Sequence, residues 1–223
     1  MALGMSPFVM QSTEGLISIC FNSSLLKYGG DIAVGSMTIL SSVMQFSMLP
    51  LQGLSQGAQP IVSFNYGAGN ADRVKKAFFF LLKACLAYST LLWGISVFRP
   101  QLFISIFTSD PELTTFTIWS LRIYMAMSLI FGAQIACQQT FVALGNAKTS
   151  LFLAVLRKII LLIPLIFILP HFFTDQVMAV FLAEPVADTL AVCTTSIMFA
   201  VQFRQILKNM RKPVAETDTS GTN

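Results

Sequence analysis

A carboxylate stands inside the first apolar stretch of this sequence, residues 6–26, with polar neighbours at helical spacing. Gln11 lies three residues before Glu14 and Ser18 lies four residues after it, so a helix places all three side chains on one face. An ionisable side chain in such a stretch is costly unless it is paired or hydrated. The trio therefore predicts a site for a proton, a small cation or a cationic substrate. A structural hydrogen bond to a neighbouring helix is the competing interpretation.

A second acidic pair lies near the start of the last apolar stretch. Asp188 follows Glu184 by four residues, so both lie on one helical face. Glu184 is expected close enough to the outer interface to be hydrated, whereas Asp188 lies deeper. A transport role for Asp188 and a structural ion pair with Lys83, Arg157 or Lys158 are both open. For Arg157 and Lys158, snorkelling or pairing with phosphate or carboxylate is the favoured interpretation.

Four glutamines complete the set of candidate site residues. Gln52 and Gln56 are four residues apart in the second apolar stretch, and Gln134 and Gln138 share a face of the fourth. Amides that face lipid are costly, so these side chains are expected to point inward. Helix-to-helix hydrogen bonds and a hydrated path are both compatible with them.

The composition places these residues in an integral membrane protein. The 223 residues are 55% hydrophobic and 11% charged, whereas soluble domains carry roughly 25% charged residues. The net charge of +4 does not indicate nucleic-acid binding, because the basic residues lie between apolar segments. The composition predicts an all-α membrane protein and no nucleic-acid partner.

Six segments are long and apolar enough to cross a bilayer. They cover about 6–26, 32–65, 74–98, 116–144, 149–169 and 177–207. Together they predict one membrane domain, residues 1–207, followed by a disordered cytoplasmic tail, 208–223. Basic residues gather at alternate loops, near 73–76, 148 and 204–212. This asymmetry predicts that both termini are cytoplasmic.

Local signals mark turns and helix ends within these segments. Pro50 and Pro60 are expected to bend or break the second span. Gly53 and Gly57, four residues apart, predict a close approach by another helix. Residues Ser109–Glu112 predict a helix N-cap, followed by a proline and an acid in the first turn, at the start of the fourth span. A short interfacial helix is expected just before it.

The sequence does not favour an enzyme or a cofactor site. The four cysteines lie in four different apolar segments, without the clustered spacing of a metal site. No group of side chains combines a nucleophile, a base and an oxyanion donor. The N-terminus lacks a positive n-region, so a cleaved signal peptide is not expected.

The stretch QGAQPIVSFNYGAGN, residues 56–70, followed by the basic residues 73–76, resembles a known signature. It is similar to the end of the eighth helix in the multidrug and toxic compound extrusion (MATE) transporters, and it most resembles the MepA-like branch. Residues 107–112 and 138–148 resemble the same family. The resemblance covers about 7–207 and includes the signature once.

This resemblance implies one six-helix lobe of a two-lobe transporter, namely the C-terminal lobe. It implies export of amphipathic organic cations in exchange for H⁺ or Na⁺ by alternating access, with no other cofactor. Glu14 matches the seventh-helix glutamate of some members, while the tenth-helix carboxylate has no counterpart here. The implied partners are small organic cations, the lipid bilayer, and a missing N-terminal lobe or a second copy of the chain. The implied location is the cell membrane, the bacterial inner membrane.

Two alternatives stay open at this point. One is a lipid-linked oligosaccharide flippase of the same superfamily, for which Arg122, Arg157 and Lys158 are the candidate bases. Such a protein needs a basic, hydrated cavity, and Glu14 argues against it. The other is a truncated remnant that does not transport.

Overall fold

The computed structural model describes the backbone of residues 2–210 and the side chains of residues 13–146 and 149–210. All secondary structure within these ranges is helical. The first helical stretch, Ala2–Gly67, is interrupted at Gly30, where φ is 64°. A positive φ is readily adopted by glycine because it has no Cβ. We name the two arms α1, residues 2–29, and α2, residues 31–67.

The remaining helices follow in chain order. They are α3 (Ala71–Phe98), α4 (Gln101–Ile104), α5 (Pro111–Tyr124), α6 (Ser128–Ala143), α7 (Ala147–Val155, Leu156–Leu162 and Ile163–Ile168) and α8 (Gln176–Met210). A 3₁₀ turn, Leu169–His171, closes α7.

The lengths of these helices fit a membrane-spanning bundle. Among the described residues, four helical stretches are long and apolar enough to cross a bilayer, and α5 with α6 makes a fifth if the bent pair is one span. The stretch that contains α1 and α2 counts as one of the four. The all-α membrane fold is confirmed, and the division of this stretch into two arms is compatible with the six spans that the sequence predicts.

The arms of the first stretch belong to a folded-back pair. Ile17 of α1 and Val43 of α2 belong to the same hydrophobic core, although a straight helix would separate them by about 39 Å. α1 runs parallel to α7, since Glu14 contacts Lys158 and Ser24 contacts the Ile166 carbonyl. Gly30 therefore reverses the chain between two spans.

Side-chain hydrogen bonds give the direction of the second arm. The Ser36 and Ser120 hydroxyls lie 2.8 Å apart, and Ser63 donates to the Ala143 carbonyl at 2.8 Å. α2 therefore runs parallel to the bent pair of α5 and α6.

The interior of the bundle consists of two hydrophobic cores. The first core joins α1, the start of α2, α5, the end of α7 and the start of α8. The second core joins the end of α2, α3, α6 and the end of α8. Phe78 anchors the second core, with its ring centroid 4.6 Å from that of Phe199 and 5.0 Å from that of Phe203. α2 and α8 thus each contribute to both cores and connect them.

The break expected in the second span is wrong. Pro50 and Pro60 lie within helical backbone, and Gly30 is the residue of this stretch with non-helical dihedral angles. The helix continues to Gly67, past the predicted break, while a bend at either proline stays a prediction. The close approach expected at Gly53 and Gly57 is absent within the described part of this chain, since a Cβ at either position has no atom within 4 Å.

The close helix approach occurs instead at Gly132 of α6. A Cβ there would lie 2.5 Å from the Cys85 carbonyl oxygen and 2.5 Å from the Ser89 hydroxyl of α3. These distances are shorter than van der Waals contact, so only glycine fits at this crossing.

The predicted fourth span is not one straight helix. α5 ends at Tyr124 and α6 begins at Ser128, with a 50° bend between them. Ala126 and Ser128 donate to carbonyls three and not four residues back, at 3.1 and 3.0 Å. These tight turns satisfy backbone groups that the break would otherwise leave unpaired.

The cap predicted for the fourth span is present. Asp110 is the N-cap of α5, its carboxylate accepts from the Glu112 backbone N–H at 2.9 Å, and Pro111 fills the first turn. The short helix α4 precedes it, as the sequence predicts. Ile104 of α4 is buried in the first core.

The N-cap gives a direct prediction for stability. Substitution of Asp110 with alanine removes the acceptor for the Glu112 N–H and is expected to cost about 1 kcal/mol. Thermal unfolding in detergent measures the loss. The Asp110→Asn variant is the matched control, because asparagine also caps helices, and equal melting temperatures for the two variants would contradict the prediction.

Candidate functional site

Glu14 lies on the outer surface of the lobe and not in its core. Its side chain is 57% exposed, and its carboxylate makes an ion pair with Lys158 of α7. Ser18, one turn further along α1, is also exposed. Gln11 belongs to α1, but its side chain lies outside the described residues. The structure therefore presents Glu14 and Ser18 on one outward face of α1.

A second ion-pair cluster is centred on Arg157, the residue before Lys158 in α7. Arg157 donates through Nε to Asp188 Oδ1 at 2.5 Å and through an Nη atom to Glu184 Oε1 at 3.1 Å. The side chains of Asp188 and Glu184 are buried, with exposures of 5% and 8%, and that of Arg157 is only 12% exposed. The guanidinium also lies 4.6 Å from the centroid of the Phe131 ring. We call Arg157, Glu184 and Asp188 the inner cluster.

This arrangement corrects one expectation from the sequence and agrees with another. Glu184 is not hydrated at an interface but is buried against Arg157. Arg157 pairs with carboxylates, one of the two outcomes expected for it, and its guanidinium binds two carboxylates of α8. Of the alternatives for Asp188, the structure contains the ion pair with Arg157.

The local structure of α7 positions both bases. Leu156–Leu162 is π-helical, and Arg157 and Lys158 occupy its first turn. Pro164 lies two residues after this segment. A proline has no N–H, and its ring displaces the carbonyl four residues back, which explains the widened turn. Arg157 reaches inward to α8 while Lys158 reaches α1. The π-helical turn thus connects the inner cluster with the outward face.

The structure separates the candidate glutamines into two groups. Gln52 and Gln56 are exposed on α2, whereas Gln134 is buried within α6. Gln138 is half-buried and donates to the Ser150 carbonyl of α7 at 3.3 Å. Gln134 thus points into the lobe as expected, whereas Gln52 and Gln56 lie on its surface.

A shallow groove of about 600 Å³ lies on α3, away from these groups. It is lined by Asp72, Lys75, Lys76, Phe79, Phe80 and Lys83. None of these residues belongs to the inner cluster or to the Glu14 face. We therefore place the candidate site at Glu14 and Lys158 and not at the groove.

Comparison with known proteins identifies the fold of this lobe. The MatE family model matches residues 7–168. Multidrug export protein MepA of Staphylococcus haemolyticus (strain JCSC1435) is 23% identical over 191 residues, which cover 85% of this chain and 42% of that protein.

Solved structures give the same result. A crystal structure of MATE in the bent conformation superposes with a TM-score of 0.86 at 15% identity, covering 94% of this chain and 46% of that one. The MATE multidrug transporter DinF-BH superposes with a TM-score of 0.77 at 33% identity, covering 92% of this chain and 45% of that one. This chain spans less than half the length of these relatives. It belongs to the MatE family, and its fold is that of one lobe of a MATE transporter.

Proposed function

We propose that this chain is the C-terminal lobe of a multidrug antiporter that exports amphipathic organic cations. Export is driven by the entry of H⁺ or Na⁺, and alternating access moves the site between the two sides of the cell membrane. The lobe works together with an N-terminal lobe or a second copy of itself. Both termini lie on the cytoplasmic side, as the distribution of basic residues indicates.

The exposed carboxylate of Glu14 is the observation that carries this proposal. Among the ion pairs of the described residues it is held by Lys158 alone, and it lies on the surface of the lobe. Leu16 and Ile19 beside it are 52% and 66% exposed. The carboxylate can pair with the positive charge of an amphipathic cation, and the apolar side chains around it can contact the hydrocarbon part of the same molecule. The same surface would line a cavity when a second lobe faces it.

The structure disfavours the flippase alternative. A flippase needs bases that are available to a pyrophosphate head group. Arg157 is instead bound by two carboxylates, and Lys158 is bound by Glu14. Arg122, the third candidate, donates through Nε to the Val97 carbonyl at 3.2 Å. The two bases nearest the candidate site are thus neutralised by acids of the same lobe.

Efflux from cells tests the proposed function. Cells that produce this chain together with the N-terminal lobe of the MepA relative are expected to extrude ethidium faster than cells with either lobe alone. Equal ethidium accumulation in all three, with both lobes present in the membrane, would instead favour a remnant without transport activity.

The Glu14→Gln variant tests the site. Removing the negative charge is expected to raise the dissociation constant for tetraphenylphosphonium about tenfold, equivalent to 1.4 kcal/mol. Equilibrium binding to the purified chain in detergent measures the change. Glu112→Gln, an acid in the first turn of α5, is the matched control. An unchanged dissociation constant in Glu14→Gln would remove Glu14 from the site.

A further inference from the structure

The inner cluster carries more negative than positive charge. Arg157 supplies one positive charge, and Glu184 and Asp188 supply two negative charges when ionised. The neighbouring Lys158 is matched by Glu14. The five groups together therefore have a net charge of −1 when all are ionised. A buried surplus charge is unfavourable, and a buried carboxyl commonly takes up a proton instead.

The geometry distinguishes the two carboxyl groups. Asp188 accepts the shorter hydrogen bond from Arg157, at 2.5 Å, whereas Glu184 accepts the longer one, at 3.1 Å. The second oxygen of Glu184, Oε2, is buried and has no hydrogen-bond partner among the described residues. An ionised oxygen without a donor costs more than a neutral hydroxyl at the same place. Glu184 is therefore the better position for the proton.

The surroundings of the cluster suit a proton better than a metal ion. Within the part of the chain that the structure describes, no three His, Cys, Asp or Glu side chains lie close enough to hold a metal. The charged and titratable groups facing the two carboxyls there are Arg157 and Lys158 of α7 and Tyr124 of α5. Glu14 of α1 acts on the cluster through Lys158.

We propose that Glu184 of the inner cluster binds a proton that is released when an organic cation binds at Glu14. The link is Lys158, which pairs with Glu14 and also interacts electrostatically with Glu184 and Asp188. An organic cation that pairs with the Glu14 carboxylate displaces the Lys158 ammonium. The ammonium then pairs with the inner cluster and neutralises its surplus negative charge. Glu184 then gives its proton to water.

The charges balance in this exchange. One cation enters at Glu14, one proton leaves Glu184, and the net charge of the site stays the same. This inference rests on the proposed function, because it needs the cation at Glu14. It adds a coupling site on α8 and makes Lys158 the residue that links it to the outward face.

The resident proton is tested first, without any organic cation. Infrared spectra of the purified chain at neutral pH are expected to contain the carbonyl stretch of a protonated carboxyl group, and the Glu184→Gln variant is expected to lack it. Glu112→Gln is the control and retains the band. Absence of the band in the wild-type chain, or its persistence in Glu184→Gln, would overturn the proposal. Glu184→Gln is expected to fold, because glutamine resembles the neutral glutamic acid.

Coupling is tested by adding tetraphenylphosphonium in weakly buffered detergent solution. The wild-type chain is expected to release about one proton per bound cation, and its affinity should rise about tenfold per pH unit within the titration range, the linkage limit for one proton. Lys158→Gln is expected to abolish the release, whereas Lys83→Gln, an exposed lysine of α3, retains it.

The outcomes separate this inference from the proposed function. Binding of the cation without proton release, or unchanged release from Lys158→Gln, would overturn the coupling. A wild-type chain that has the carboxyl band but binds no organic cation would leave the proton site standing. That result would count against the cation site at Glu14 and so against both the proposed function and the coupling.

Discussion

Replacing Arg157 with methionine is expected to destabilise the protein by about 3–5 kcal/mol, the cost of leaving buried charges without their partner. Arg157 is the ion-pair partner of both Glu184 and Asp188, which are 8% and 5% exposed in their side chains. Without the guanidinium, the Asp188 carboxylate loses its counter-ion beside the Glu184 carboxyl group, in a setting of low polarity. Thermal unfolding of the purified chain in detergent measures the loss, and a fall in the yield of monodisperse protein accompanies it.

Two further variants distinguish charge from packing. Arg204→Met replaces an exposed arginine of α8 and is expected to leave the melting temperature nearly unchanged. Combining Arg157→Met with Glu184→Met and Asp188→Leu removes all three ionisable groups and is expected to recover most of the stability, because apolar replacement of a buried ion cluster is often neutral or favourable. If the triple variant is as unstable as Arg157→Met alone, the cause is packing and not unpaired charge.

The Gly132→Val substitution is expected to destabilise the contact between α3 and α6 by about 1–3 kcal/mol, as overpacked cores usually are. The first atom of any side chain would lie 2.5 Å from the Cys85 carbonyl oxygen and 2.8 Å from its carbon. These are backbone atoms of a helix, so they cannot rotate away, and the two helices must separate. A lower melting temperature and faster reaction of the buried Cys85 thiol with maleimide measure this separation.

Gly94→Val is the matched control for this prediction. Gly94 also lies within a helix, α3, but a Cβ there has no atom within 4 Å. The change in helix propensity is the same in both variants, so only the contact differs. Equal melting temperatures for Gly132→Val and Gly94→Val would show that the helices do not depend on this approach.

Much of the lobe could be predicted because its signals are local. The low charge content and the apolar segments predict an all-α membrane protein, and the structure confirms this class. Asp110 and Pro111 begin α5 as expected, since a cap depends on neighbours two or three residues away. Glu14 could be chosen as a candidate site residue from its residue type alone, because a carboxylate is costly in an apolar helix.

Other features could not be predicted from the local sequence, because the signal was either absent or misleading. The break between α5 and α6 contains no proline or glycine, only Met125, Ala126 and Met127. Pro50 and Pro60 gave a strong signal, yet their helix continues. Gly53 and Gly57 had the spacing of a helix contact, while the close approach lies at Gly132, which sits opposite the Cys85 carbonyl. Glycine allows a close approach but does not determine which partner is present.

Residue types and their spacing are enough to predict the membrane class, to recognise the family signature and to locate acids and bases within apolar helices. Which of these acids and bases meet depends on how the helices pack. Arg157 contacts Glu184 and Asp188 across 27 and 31 residues of sequence, and Lys158, its immediate neighbour, contacts Glu14 on another helix. Helical periodicity gives the face of each side chain, but the pairing of faces depends on the packing of α1, α7 and α8, which is why the inner cluster became visible only in the folded lobe.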